Sequence, residues 1–253
     1  MKYRLRTDLK KEVNGVTLFR IECVTAFANI ASGELGGWIE KEENLSQYGD
    51  AWVYGDARVY GNARVSGYAW VYGDARVSGD ARVSGDAEVY GDAWVSGYAR
   101  VSGDARVYGD ARVYGNARVS AYARVYGDAE VYGYARVYGY ARVYGDARVS
   151  AYAEVSGDAR VSGDAWVYGD ARVSGDADIF FFNLSKRCLT FCCDLKLGIS
   201  VTVGCQAAIS LDEFKKRIFE DGGYTQENLP KHRREYLKAI ELVEEFMGEQ
   251  GCE

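Results

Sequence analysis

From Ala51 to Ile179 the chain repeats one six-residue unit, Tyr/Ser-Gly-Asp-Ala-Arg-Val, without an insertion or a deletion. So strict a short period confines the chain to a repeat architecture, in which each unit stacks on its neighbours instead of entering one globular core. The stretch holds 22 triplets of the form Ala-X-Val/Ile, and X is Arg in 14, Trp in four (Trp52, Trp70, Trp94, Trp166), Glu in three and Asp in the last. Apolar, variable, apolar is the two-residue alternation of a strand. Large charged and aromatic groups cannot share an inward position of a narrow core, so X faces out while Ala and Val face in. The Gly-Asp pair between strands is corner chemistry, because glycine takes positive φ freely. Ala121 and Ala151 replace that glycine, so at those corners either φ is negative or strain is tolerated.

One short strand and one corner cannot close a coil, and the longer period is written in the columns. Every third unit places Tyr54, Tyr72, Tyr90, Tyr108, Tyr126 and Tyr144 in succession, another third places Ser66, Ser84, Ser102 and Ser120, and a third track is all aspartate from Asp56 to Asp164. These columns separate only at a period of 18, which is three strands per coil. About seven coils follow, a three-sided prism roughly 35 Å long at the usual strand spacing of about 4.8 Å.

The repeat resembles the hexapeptide signature of left-handed parallel β-helix proteins, a branched aliphatic followed four positions on by a small residue. That resemblance implies the left hand; general crossover rules favour the right. The lead-in Gly33-Glu34-Leu35-Gly36-Gly37-Trp38-Ile39-Glu40 and the tail segments Val203-Gly204-Cys205 and Leu211-Asp212-Glu213-Phe214 are similar to those of an uncharacterised bacteriophage and prophage group within that class. The expected fold is therefore mainly β: a left-handed parallel β-helix over residues 51–179, an N-terminal cap over 1–50 and a small α+β domain over 180–253.

Open helix ends expose unpaired strand edges and need covering. In the cap, Asn14-Gly15 between two apolar stretches predicts a tight hairpin, and Trp38 and Ile39 are expected to cover the first coil. After Phe180 the sequence predicts three strands, then a helix opened by a Ser210/Glu213 capping box, then a helix from about Lys231 with Tyr236, Ile240, Val243 and Phe246 on one face.

Net charge of -6 opposes nucleic acid as a partner. No signal peptide or bilayer-length apolar run is visible, so a cytoplasmic location in a bacterial host, with reduced cysteines, is expected. Hexapeptide β-helix proteins resemble acyltransferases, which use a histidine at the coil surface and a loop that interrupts the repeats; here His232 lies outside the repeats and no loop interrupts them. Cys188, Cys192, Cys193 and Cys205 lack paired zinc spacing and read as structural thiols. The aspartate column lacks the glycine-rich nonapeptide of calcium-binding rolls, so Asp56 with Arg58, and Asp74 with Arg76, are expected to pair. Arg64, Arg82, Arg100, Arg118 and Arg136 form a further column, which flanking acids are expected to neutralise.

Neither a catalytic residue, a metal nor a cofactor is expected. The candidate partner-binding residues are the ladder Tyr54, Tyr72, Tyr90, Tyr108, Tyr126 and Tyr144 and the outward Trp52, Trp70, Trp94 and Trp166. Tyr and Trp bring large contact area at low entropy cost. The expectation is a non-catalytic scaffold that binds a protein partner or itself, with the C-terminal domain as an oligomer contact. The phage resemblance implies inhibition of a host defence protein; the alternative is an acyltransferase or a degenerate relative of one.

Overall fold

The computed structural model describes residues 1–175, 178–183, 188–194, 198–203, 209–220, 225 and 228–249. The repeats form a parallel β-solenoid with three sheets, one on each face of a prism. Each strand is the two-residue X-Val pair, and it lies in register with the strand 18 residues on, as Arg58↔Arg76 and Val59↔Val77 show. The backbone N–H of Arg58 donates to the Ala75 carbonyl at 2.9 Å and that of Tyr60 to Val77 at 3.0 Å, so the ladder runs continuously along the prism axis. We name the faces by their outward columns: the first carries residues 52 to 160, the second 58 to 166 and the third 64 to 172, each in steps of 18.

All the inward Ala and Val residues from Ala51 to Val173 are buried and form one continuous core with the N-terminal cap. Alanine is as necessary there as valine, because three sheets converge on a narrow axis. The corners hold their glycines at positive φ; a Cβ on Gly85 would lie 2.8 Å from the backbone nitrogen of Gly103 in the next coil. Ala121 and Ala151 adopt the same left-handed conformation, at φ 56° and 57°. Of the two alternatives open from sequence, these corners are strained.

The N-terminal hairpin pairs Tyr3–Val13 with Val16–Cys23 around Asn14 (φ 51°) and Gly15 (φ 77°). Val16–Cys23 pairs antiparallel with Leu35–Ile39, which in turn runs parallel to Arg58–Val59. This lead-in strand, with the parallel bridge Leu45↔Val65, adds a turn before the first repeat and brings the solenoid to about eight turns. Gly37 permits the approach: a Cβ there would sit 2.5 Å from Val53 Cγ1. Ile39 is fully buried over the first coil, as expected, whereas Trp38 lies on the outer surface beneath the Lys11 ammonium (4.2 Å) and Arg20 guanidinium (4.9 Å). Side chains alternate along a strand, so Ile39 inward places Trp38 outward.

At the other end the strand that closes the last triplet packs on Arg160–Val161 and runs on into a further sheet. Asp178–Asn183 opens an antiparallel sheet with Cys188–Asp194, Gly198–Val203 and a short fourth strand, Ile209–Ser210, in that order. Helices Leu211–Glu220 and Lys231–Glu249 follow. The Ser210 hydroxyl accepts from the Glu213 N–H at 3.2 Å, a cap on the first helix. Leu189, Phe191, Val201, Phe214, Ile218, Tyr236, Ile240 and Val243 form a separate core. The Thr190 hydroxyl donates to the Trp166 carbonyl at 2.8 Å, tying this region to the end of the solenoid. The side chains of Phe180–Phe182, Cys188, Cys192, Cys193 and Phe246, and all of Cys205, lie outside the described residues.

Candidate interaction surface

The tyrosine column follows Val on the first face and therefore points outward beside the X column. Because each coil repeats the same backbone, the rings adopt one orientation and inherit the strand spacing. Tyr72, Tyr90, Tyr108, Tyr126 and Tyr144 stack with successive centroids 4.7, 4.8, 4.9 and 5.0 Å apart and ring planes within 4° of parallel. The five rings are half-buried, with Arg106, Arg124 and Arg142 beside Tyr108 and the last two beside Tyr126. Partial burial raises the hydroxyl pKa values of Tyr90, Tyr108 and Tyr126, while the neighbouring arginines oppose that rise. Tyr72 is raised further because, after burial, its hydrogen bond to Glu88 favours the neutral phenol.

Two expectations require correction. Tyr54 does not join the stack; it meets Trp70 edge-on at 5.6 Å and 60°, packed against the core near the cap. Trp52 is not an exposed surface residue but fully buried. Its X position does face away from the coil, yet the N-terminal segment covers it, with Tyr3 (6.1 Å, 74°) and Phe27 (5.4 Å, 70°) packing edge-on. Repeat position predicts direction relative to the coil; it does not predict what a non-repeating segment lays over it.

The other tryptophans stay at the surface. Trp94 is 41% exposed, while Trp70 and Trp166 are half-buried. Trp94 and Trp166 each donate an indole N–H to a serine of the preceding coil, Ser78 and Ser150, at 3.2 Å, and both serines are buried.

The most exposed aromatics of the repeats lie outside the candidate residues. Tyr68, Tyr98, Tyr122, Tyr134, Tyr140 and Tyr152 occupy the Asp position of the repeat and are 50–65% exposed. Two neighbouring pairs stack, Tyr122 with Tyr140 at 4.8 Å and Tyr134 with Tyr152 at 5.1 Å. The signal was available: tyrosine at a position otherwise held by Asp or Asn must lie at a solvated corner.

The expected ion pairs within a repeat do not form. Asp56 instead sits 3.7 Å from Lys11 and 3.9 Å from Arg20 of the cap, and no contact joins Asp74 to Arg76 among the described residues. Corner and strand side chains diverge where the chain turns. The ion pairs of the repeats run between coils, from Glu88 to Arg106 (3.3 Å), Glu130 to Arg112 (3.6 Å) and Glu154 to Arg136 (3.3 Å). On the third face Arg136 pairs with Glu154, whereas Arg64, Arg82, Arg100 and Arg118 are exposed and form no such pair among the described residues, so the expected neutralisation by contact holds at one position of this column.

His232 stands on the last helix, edge-on to Tyr236 at 6.0 Å. Among the described residues no three of His, Cys, Asp and Glu converge, and no helix is long and apolar enough to cross a membrane.

Compared with known proteins, the repeats match the family model of the YdcK beta solenoid repeat, in overlapping segments between residues 57–97, 99–127 and 141–169. The repeat region is thus similar to that family's β-solenoid. No curated protein matches the chain.

Proposed function

We propose that this chain is a non-catalytic interaction scaffold that captures a protein partner on the first face of its solenoid. One observation carries the reading: five tyrosine rings are held in register at 4.7–5.0 Å beside a column of arginines. Tyr and Arg are the residue types over-represented in binding hot spots. Here the repeat holds them rigid before any partner arrives, so little side-chain freedom is left to lose on binding. The exposed corner tyrosines extend the aromatic area to the other edges. Within this reading the chain is of the left-handed hexapeptide class, encoded by a phage or prophage, and its partner is a host protein such as a defence component; the similarity of its lead-in and tail to that group supports this.

Affinity capture from a bacterial lysate, read by mass spectrometry, tests it. Replacement of Tyr90, Tyr108 and Tyr126 by Ser should abolish a captured partner while far-UV circular dichroism stays that of the folded solenoid. Undiminished capture by the variant would remove the ladder from the reading. Saturable binding of acetyl-coenzyme A in calorimetry would move the assignment to the acyltransferase alternative.

A further inference from the structure

The third face and the Asp corner of the prism are complementary to each other, and no contact within one chain uses that complementarity. On the third face, Arg82, Arg100 and Arg118 are exposed and stacked in register, Arg100 beside both neighbours. Serines 84, 102 and 120 flank them on one side, so the guanidinium groups rise from a low edge. Surface depressions run along this face and meet at Tyr98 and Arg100. The corner between the first and second faces is a convex ridge that carries an aspartate in every coil, among them the exposed Asp92, Asp110 and Asp128. These three aspartates have no ion-pair partner among the described residues.

Cations and anions of these two columns repeat at one interval, because both are fixed by the coil rise that sets the 4.7–5.0 Å tyrosine spacing. Two copies laid side by side therefore keep every Arg opposite an Asp over as many coils as overlap. An extended peptide has a longer charge repeat, about 6.6 Å between alternate side chains, and a strand of duplex nucleic acid a shorter one, about 3.4 Å, so both drift out of step with the ladder. We propose that a second copy of this chain docks its aspartate ridge against the arginine face of the first. The two patches differ, so the contact is heterologous and each docked copy leaves one of its own patches open for a third. Single exposed pairs are weak; a commensurate row of them adds many weak terms. The ridge aspartates follow the ladder tyrosines by two residues, as in Tyr90-Gly91-Asp92, so docking and partner capture share one edge; the charge reversals keep every ladder tyrosine and read docking alone.

Sedimentation velocity on the purified full chain tests it, with charge reversals on either side: R82E/R100E/R118E and D92K/D110K/D128K. The wild type should associate as concentration rises and dissociate when salt increases from about 50 mM to about 0.5 M, where screening shortens from above 10 Å to a few ångströms. Each variant alone should sediment as a monomer, and an equimolar mixture should regain association, because each reversed patch then meets its opposite. Circular dichroism checks that both variants fold; if a triple variant does not, the single reversals R100E and D110K obey the same mixing rule with a smaller shift. A wild type monomeric at every concentration, or a mixture that stays monomeric, overturns the proposal. So does a wild type that stays monomeric while shifting an oligonucleotide. Since no partner is added, the outcome is independent of the tyrosine variants above.

Discussion

The Tyr72 hydroxyl donates a 3.0 Å hydrogen bond to the Glu88 carboxylate, 16 residues on. The same offset joins Tyr114 to Glu130 at 3.2 Å, Trp94 to Ser78 and Trp166 to Ser150. One coil minus the two residues that separate X from the post-valine position makes 16, so the bond is diagonal: it ties adjacent coils through side chains where the backbone ladder ties them directly. Tyr72 is thereby tied to the first face and Tyr114 to the second.

Removing either partner of this bond should cost about 1 kcal/mol. Tyr72→Phe and Glu88→Gln are expected to lower the melting temperature similarly, and the double variant should lose little more than either one. Strict additivity in chemical denaturation would show that the contact contributes nothing. Glu88→Gln should also bring the Tyr72 phenol part of the way back toward ordinary titration, visible as phenolate absorbance at lower pH, because after burial the hydrogen bond to the carboxylate and its charge raise the pKa.

Ala121 and Ala151 sit at φ 56° and 57°, where a Cβ meets its own carbonyl. Ala121→Gly should raise stability by up to about 1 kcal/mol, the relief of strain being partly offset by the freer unfolded chain. Gly109→Ala, at φ 70° with its added Cβ 3.1 Å from the Gly127 nitrogen, should do the reverse. Thermal unfolding of the two variants must move in opposite directions for this account to hold.

The solenoid core is narrow enough that both inward positions are intolerant. Val113→Ala leaves a void and should cost about 2 kcal/mol, whereas Ala111→Leu overfills the axis and should cost about 1–3 kcal/mol. Both residues are fully buried. If Ala111→Leu were as stable as the parent in denaturant melts, the axis would have room that this packing denies.

Lys2 tests the cap. Its ammonium is buried, donates to the carbonyls of Gly49 (3.1 Å) and Ala51 (2.8 Å), and has its pKa lowered from 10.5 to about 8, chiefly by loss of water. Between those two values the unfolded chain holds a proton that the folded chain has released. Stability of the wild type relative to Lys2→Met should therefore rise as pH goes from about 8 to about 10.5 and be flat below 8. A difference in melting temperature that is constant across this window would contradict the assignment.

Legibility in the sequence followed the repeat closely. Direction of every Ala, Val and X side chain, the 18-residue coil and the three in-register sheets came from periodicity, because a strand has only two faces and identical units must stack alike. The Asn14-Gly15 turn and both C-terminal helices were local signals of the same kind. The candidate surface is legible in part: Tyr72 to Tyr144 stack from an unbroken column, whereas Tyr98 and Tyr134 stand in a column shared with Asp80 and Asn116, whose mixed residue types carry no ladder signal. The ion pairs are not legible there, because sequence proximity of Asp74 and Arg76 says nothing of the corner that separates them.

What the repeat by itself determined is thus the solenoid, its pitch and its core, since these depend on contacts between equivalent positions whose separation is constant. What only the tertiary structure decided concerns contacts without a period. Trp52 is buried and Trp94 exposed at the same repeat position, because Tyr3 and Phe27 return from a non-repeating segment to cover one of them. Asp56 pairs with Lys11 and Arg20 while the aspartates above it in the column have no ion-pair partner among the described residues, for the same reason. A repeat specifies its interior through its neighbours; the fate of its outer surface depends on what the rest of the chain places against it.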